Sequence, residues 1–129
     1  MLVKDLMTRE VILIEATASL KEALKLMENK ELKALVVNKQ NPHDAYGIIT
    51  YTDIIKAIYA EEGDIDLLNV YDIYKKPAIT VSKELDVKHA AKLMINMGIK
   101  RLLVTDNNEI EGIISMHDII QDIIQNIEK

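Results

Sequence analysis

The 129 residues carry a net charge of −5, with 49% apolar and 29% charged residues, a balance that supports a packed core and excludes a disordered chain. The charge is spread evenly along the chain, and a pI of about 5.2 opposes electrostatically driven binding to nucleic acid. No apolar run approaches the ~18 residues of a membrane span, MLVKDLMTRE lacks the apolar stretch of a signal peptide, and the absence of cysteine excludes disulfides and thiolate metal sites, so a cytoplasmic location is the default expectation.

Phe and Trp are also absent, Tyr supplies all five aromatics, and twenty residues are Ile. The core is therefore aliphatic, and a planar ligand is expected to lie between aliphatic side chains.

In chain order, VKDLM predicts a short helical lead-in, and VILI (11–14) a β-branched strand. Ser19-Leu20-Lys21-Glu22 has the form of a capping box, the serine capping a helix while Glu22 reaches back. Leu20, Ala23, Leu24 and Met27 then follow at amphipathic spacing. Leu35-Val36-Val37 predicts a buried strand and NKQNPHDAY a turn-rich loop. GIIT predicts a third strand, followed by a helix. Residues 61–69 read as a linker. VYDIY then restarts the series: AITV (78–81) as a strand, Asp86 as a cap, and Val87, Ala90, Ala91 and Met94 as a helical stripe that Gly98 stops in a left-handed conformation. Leu102-Leu103-Val104, the turn-rich TDNNEIE, the strand GIIS and a last helix complete it. On that helix Ile119, Ile120, Ile123, Ile124 and Ile127 form one apolar stripe.

The order is β-α-β-β-α, twice. Shifting the chain by 67 lays residues 3–40 over 70–107 with 12 identities in 38 positions. After a two-residue excess in the first loop, 47–59 over 112–124 gives 7 in 13. This is a duplicated supersecondary unit. Each copy, 1–60 and 70–129, is too small to bury its own apolar faces well. The expectation is an α/β (α+β) fold in which two β-α-β-β-α repeats pack with pseudo-twofold symmetry.

The stretch GIITYTD (47–53) returns as GIISMHD (112–118). It lies at a strand-to-helix junction, where free N–H groups and the helix dipole suit an anion. The glycine is expected to leave the opposite strand surface open. A Thr or Ser hydroxyl can donate or accept, and an aspartate can hold two neighbouring ribose hydroxyls. This combination suits a nucleoside bearing phosphate. The alternative is that Thr50, Ser115, Asp53 and Asp118 only cap their helices.

GIITYTD and GIISMHD, the SLKEALKLM and DVKHAAKLM helices, the IKRLLV strand and the repeated order make the chain resemble a tandem pair of CBS domains over almost its whole length. The resemblance implies a Bateman module: a regulatory unit binding adenosine-containing ligands (AMP, ADP, ATP or S-adenosylmethionine) in clefts between the repeats. It further implies a homodimer formed through helices, output to an effector protein, and no required cofactor. By resemblance, Asp53 and Asp118 hold ribose hydroxyls. Thr50 and Ser115 reach ribose or phosphate, with Tyr51, Thr52, Met116 and His117 lining the site. Lys33, Ala34, Lys100 and Arg101 face the phosphates. Ala18 and Ala23 close the Asp118 site, and Leu85 and Ala90 the Asp53 site. The backbone near Ile12-Leu13 and Ile79-Thr80 meets the adenine edge. Copy two offers Lys100, Arg101 and His117 where copy one offers Lys33 and Ala34. The Asp118 site is therefore expected to be the tighter one and to prefer charged nucleotides.

The remaining polar residues read plainly. His43 and His89 are expected at the surface, and Lys75-Lys76 before Pro77 as a charged turn. His117-Asp118 is too short a pair for a metal. Met27 and Met94 belong to core stripes. No Walker loop, HExxH, GxSxG or cysteine nucleophile is present, so a non-catalytic module is expected. The alternative function is a dimerisation or interaction scaffold without nucleotide binding, its contact surface the wide isoleucine stripe of the last helix.

Overall fold

A computed structural model describes residues 1–128. The chain divides into two compact units, Ile12–Ala78 and Met1–Val11 together with the chain from Ile79 onward. The spatial division therefore differs from the repeat in sequence. Each repeat's lead-in segment packs with the β-α-β-β-α body of the other repeat.

In the unit Ile12–Ala78, β1 (Leu13–Ile14), β2 (Ala34–Val37) and β3 (Gly47–Thr50) form a sheet of order β1-β2-β3. β1 runs parallel and β3 antiparallel to the central strand. Between β1 and β2 lies α2 (Leu20–Lys30), following the short N-terminal helix α1 (Val3–Leu6) of the other unit. Ser19 accepts a hydrogen bond from the Glu22 N–H at 3.1 Å and so caps α2. Only this serine half of the expected box forms. Leu20, Ala23 and Met27 enter a core with Leu35, Val37, Ile49, Ile54 and Val70. Each large side chain so buried contributes roughly 1.5–3 kcal/mol. α3 (Tyr51–Ile55) continues into a wider π-type turn, Lys56–Ala60. The stretch expected to be a linker is folded onto this unit: Ile65 and Leu68 pack on its core, and Val70, which follows it, is fully buried there.

The second unit repeats the plan with β4 (Thr80–Val81), α4 (Val87–Met97), β5 (Arg101–Asp106), β6 (Glu109–Ser115) and α5 (Met116–Ile127). Asp86 caps α4 by accepting from the Lys88 N–H at 2.8 Å, and that bond holds its carboxyl below the ordinary range. Gly98 ends the helix at φ 66°, as expected. Its counterpart in the first copy, Glu31, adopts φ 55° without glycine's freedom. Ala90, Met94, Leu102, Val104 and Ile114 form the core together with Val3 and Met7 of the lead-in.

TDNNEIE is mostly strand. β5 and β6 run to within two residues of each other, and Asn107 and Asn108, at φ 50° and 62°, make the turn. Two left-handed residues in a two-residue hairpin match the right-handed twist of the strands, and asparagine tolerates that conformation. The first copy's loop is longer. On α5, Met116 and Ile119 pack on the core, whereas Ile120, Ile123, Ile124 and Ile127 remain exposed.

Each lead-in segment crosses the third strand of the unit it joins. Lys75 exchanges backbone hydrogen bonds with Ile48 at 2.9 Å in both directions, and Thr8 does so with Ile113 at 2.8 and 3.0 Å. The motif glycines sit beneath these crossings. A Cβ on Gly47 would meet the Tyr74 ring and stand 3.0 Å from the Lys75 carbonyl oxygen; one on Gly112 would stand 2.8 Å from that of Thr8. The expectation of an open strand surface at these glycines is therefore corrected. The absent side chains admit a backbone crossing within the same unit.

Candidate functional site

The two motif junctions share one construction. In copy one, Ala34 pairs with Thr50 across the ladder, and the Tyr51 N–H donates to the Lys33 carbonyl at 3.0 Å. In copy two, Arg101 pairs with Ser115, and the Met116 N–H donates to the Lys100 carbonyl at 2.9 Å. The start of each middle strand is thereby fixed beside the end of the third strand. Within each unit, the residues expected at phosphate and ribose are brought together.

The aspartates do cap their helices, each in a reciprocal box. The Asp53 N–H donates to Thr50 Oγ1 at 3.2 Å, and the Asp118 N–H to Ser115 Oγ at 3.1 Å. In return, Asp53 Oδ2 accepts from the Thr50 N–H at 2.9 Å, and Asp118 Oδ2 from the Ser115 N–H at 2.8 Å. Capping does not consume a carboxylate, which offers about four lone-pair sites. What the cap leaves over decides whether a ligand can be held as well.

Here the copies part. Asp53 Oδ2 also accepts the Thr50 hydroxyl proton at 2.9 Å. Its Oδ1 faces the Lys75 ammonium at 3.4 Å, and the residue is only 7% exposed. Asp118 is half-buried and accepts only the Ser115 N–H among the described residues, so Oδ1 is uncommitted. The Ser115 hydroxyl is an acceptor in its cap and, among the described residues, donates to no carboxylate. Arg101 is half-buried, and burial pushes its guanidinium below its ordinary range. Among the described residues it has no carboxylate partner. A guanidinium stays charged even so, and its planar fork suits phosphate or carboxylate oxygens.

The other expected positions divide by burial. Tyr51, Thr52, Lys33, Lys100 and His117 are exposed, and Met116 is half-buried. Leu13 and Thr80 are exposed; Ile12, Ile79, Ala18 and Leu85 are half-buried. The Ile12 and Ile79 carbonyls accept sheet hydrogen bonds from the Val36 and Leu103 N–H groups at 3.3 and 3.0 Å. Ala23 and Ala90 are fully buried in the cores of their own units. His43 and His89 are exposed. No group of three or more His, Asp or Glu side chains among the described residues could hold a metal ion, and no described helix is long and apolar enough to cross a membrane.

Lys75 is the residue that sequence reasoning missed. It read as part of a charged turn, yet its ammonium reaches the motif aspartate. The repeat carries a signal in hindsight, because Lys75 stands where the other copy has Thr8.

Comparison with known proteins agrees with this construction. The sequence profile of the CBS domain matches residues 3–60 and 70–125. The chain is 34% identical over 121 residues to the uncharacterized protein MK0525 of Methanopyrus kandleri, a match spanning 92% of this chain and 61% of that protein. A hexameric CBS-CP12 protein from bloom-forming cyanobacteria superposes with a TM-score of 0.89 at 35% identity, over 97% of this chain and 73% of that one. The CBS domain pair of protein MJ0100, solved in complex with 5′-methylthioadenosine and S-adenosyl-L-methionine, superposes with a TM-score of 0.83 at 27% identity, over 95% and 99% of the two chains. With two profile matches on two β-α-β-β-α bodies, each ending its third strand in the same Thr/Ser–Asp box, the chain belongs to the CBS domain family and carries a tandem pair.

Proposed function

We propose that this CBS pair is a regulatory module that binds an adenosine-containing ligand, of the AMP, ADP, ATP or S-adenosylmethionine type, and passes a conformational change to an effector protein. The observation that carries the reading is the spare capacity at Asp118. Among the described residues, one carboxylate oxygen is uncommitted beside a serine hydroxyl that donates to no carboxylate, and the half-buried Arg101, without a carboxylate partner, lies across the strand ladder. A vicinal diol can donate to the carboxylate while the guanidinium takes an anionic group. The MJ0100 pair, bound to two adenosyl compounds, supports this ligand class. The site is that of a binding module: its groups recognise a sugar and an anion, and the reading assigns no reaction.

The ligand shifts a conformational equilibrium only by its differential affinity for the two states. Titration calorimetry with AMP, ATP, S-adenosylmethionine and 5′-methylthioadenosine tests the reading. Binding is expected to weaken about 100-fold in Asp118→Asn, since hydrogen bonds to a charged group contribute roughly 1.5–3 kcal/mol each. The asparagine keeps one oxygen for the cap. Undiminished affinity in that variant overturns the assignment.

The exposed Ile120, Ile123, Ile124 and Ile127 favour a second reading, a dimerisation scaffold that binds no nucleotide. Thermal melts separate the two, because a ligand held by the folded state raises the midpoint. The isoleucine face is compatible with the first reading as well, as the surface through which the module dimerises.

A further inference from the structure

We propose that Lys75 is a specificity-determining residue that closes the copy-one carboxylate to ribose, so that the chain holds a vicinal diol at Asp118 alone. The inference rests on the adenosyl-binding reading above and goes beyond it, because it assigns a role to a residue outside the repeated motif.

An ionised carboxylate has about four lone-pair sites. Thr50 fills two on Asp53 Oδ2, through its N–H and its hydroxyl, and the Lys75 ammonium faces Oδ1 as an ion pair at 3.4 Å. The oxygen left for two neighbouring hydroxyls is thus the one that the ammonium faces. Among the described residues Asp118 accepts only the Ser115 N–H, and it keeps room for a diol.

The charges point the same way. A neutral diol entering at Asp53 must replace a cation beside a buried carboxylate, and neutral hydroxyls do not compensate for that loss as well as an ammonium does. At Asp118 no cation among the described residues has to leave.

The backbone explains why lysine is held there. Ile48 bonds Lys75 from both sides, and the bare Gly47 lets Tyr74 and Lys75 lie against β3. The equivalent station over β6 is held by Thr8 through the same pair of bonds to Ile113. Thr8 has no ammonium with which to neutralise Asp118. One side chain, lysine against threonine at matching positions, thus separates a filled carboxylate from an open one. The Lys75 side chain is 67% exposed, so its replacement leaves the core intact.

The test is a reciprocal exchange in the full chain, read by native mass spectrometry and calorimetry with AMP and 5′-methylthioadenosine. Wild type is expected to bind one ligand per chain, and Asp118→Ala none. Lys75→Thr and Lys75→Met are expected to bind two, the second lost again on adding Asp53→Asn. Thr8→Lys is expected to weaken the original site at least tenfold. Thermal melts confirm that each variant is folded. A single ligand per chain in both Lys75 variants overturns the proposal, as does a wild type that fills two sites of equal affinity. Should wild type bind neither compound, the adenosyl reading of the native chain fails by itself. The role of Lys75 is then upheld by a site gained in Lys75→Thr and overturned by none.

Discussion

Gly47 lies directly beneath Tyr74, where the incoming lead-in strand crosses β3. Gly112 lies in the same relation to Met7 and Thr8 in the other unit. The glycine of the repeated motif is thus a crossing point, and its neighbour Lys75 is set over the aspartate six residues further along the motif. A feature that looks like ligand chemistry in sequence serves first to seat a backbone.

Replacing either glycine with alanine therefore tests the architecture. At Gly112 the obstructing atom is a backbone oxygen at 2.8 Å, which cannot rotate away. At Gly47 it is a ring together with a carbonyl. Overpacking of this kind costs about 1–3 kcal/mol. Urea denaturation is expected to show a lower midpoint with an unchanged slope for Gly47→Ala and Gly112→Ala, and unchanged midpoints would show that the crossings are loose.

The two helix ends make a sharper comparison, because the same backbone turn carries glycine in one copy and glutamate in the other. Gly98 and Glu31 both stop their helices with positive φ. A side chain in the left-handed region costs on the order of 1 kcal/mol relative to glycine. Glu31→Gly is expected to stabilise the chain by about 0.5–1 kcal/mol, and Gly98→Ala to destabilise it by a similar amount. Thermal or urea melts of the two single variants check both signs.

Much of this was legible in sequence for a physical reason: it is local. Ser19, Asp86, Thr50 and Ser115 cap helices within three residues of themselves, and Leu20, Ala23 and Met27 recur at the spacing of one helical face. The repeat doubled each of these signals. Lys75 above Asp53 could not be read, because the pairing depends on where a lead-in segment crosses a strand some 27 residues earlier, a separation that follows from the numbering alone. No periodicity records such a crossing. The division of the chain into units that exchange their lead-in segments was hidden for the same reason. The tight Asn107-Asn108 hairpin was visible only as a turn-rich stretch, since two asparagines permit several turn geometries and strand twist selects among them.

One ion pair gives the fold a defined response to acid. Asp44 takes hydrogen bonds from Lys76 and from the Gln40 N–H, both at 2.9 Å, and these hold its carboxyl down at about 2. A carboxyl depressed in the folded state contributes stability that is fully present above its unfolded pKa of about 3.9. That contribution fades as the pH falls through about 2. Wild type is therefore expected to exceed Lys76→Met in melting temperature by a constant margin between pH 5 and 7. The margin should narrow steadily from about pH 4 toward pH 2. A margin independent of pH across that window would show that the pair contributes through packing alone.

Helix α5 contributes Met116 and Ile119 to the core and leaves four isoleucines exposed. Four aliphatic side chains on one face of a twelve-residue helix make an apolar surface that water opposes. A closed pair of identical surfaces is the commonest way to remove such a face from solvent. Ile123→Asp with Ile127→Asp places two charges there while leaving the core contacts of Met116 and Ile119 untouched. Sedimentation at micromolar concentration is expected to show wild type as a dimer or larger assembly and the double variant as the 14.6 kDa chain. Circular dichroism should be unchanged, because exposed substitutions alter the stability of the single chain by only about 0.5 kcal/mol. Wild type sedimenting as a single chain would show that the stripe does not pair two copies of this chain.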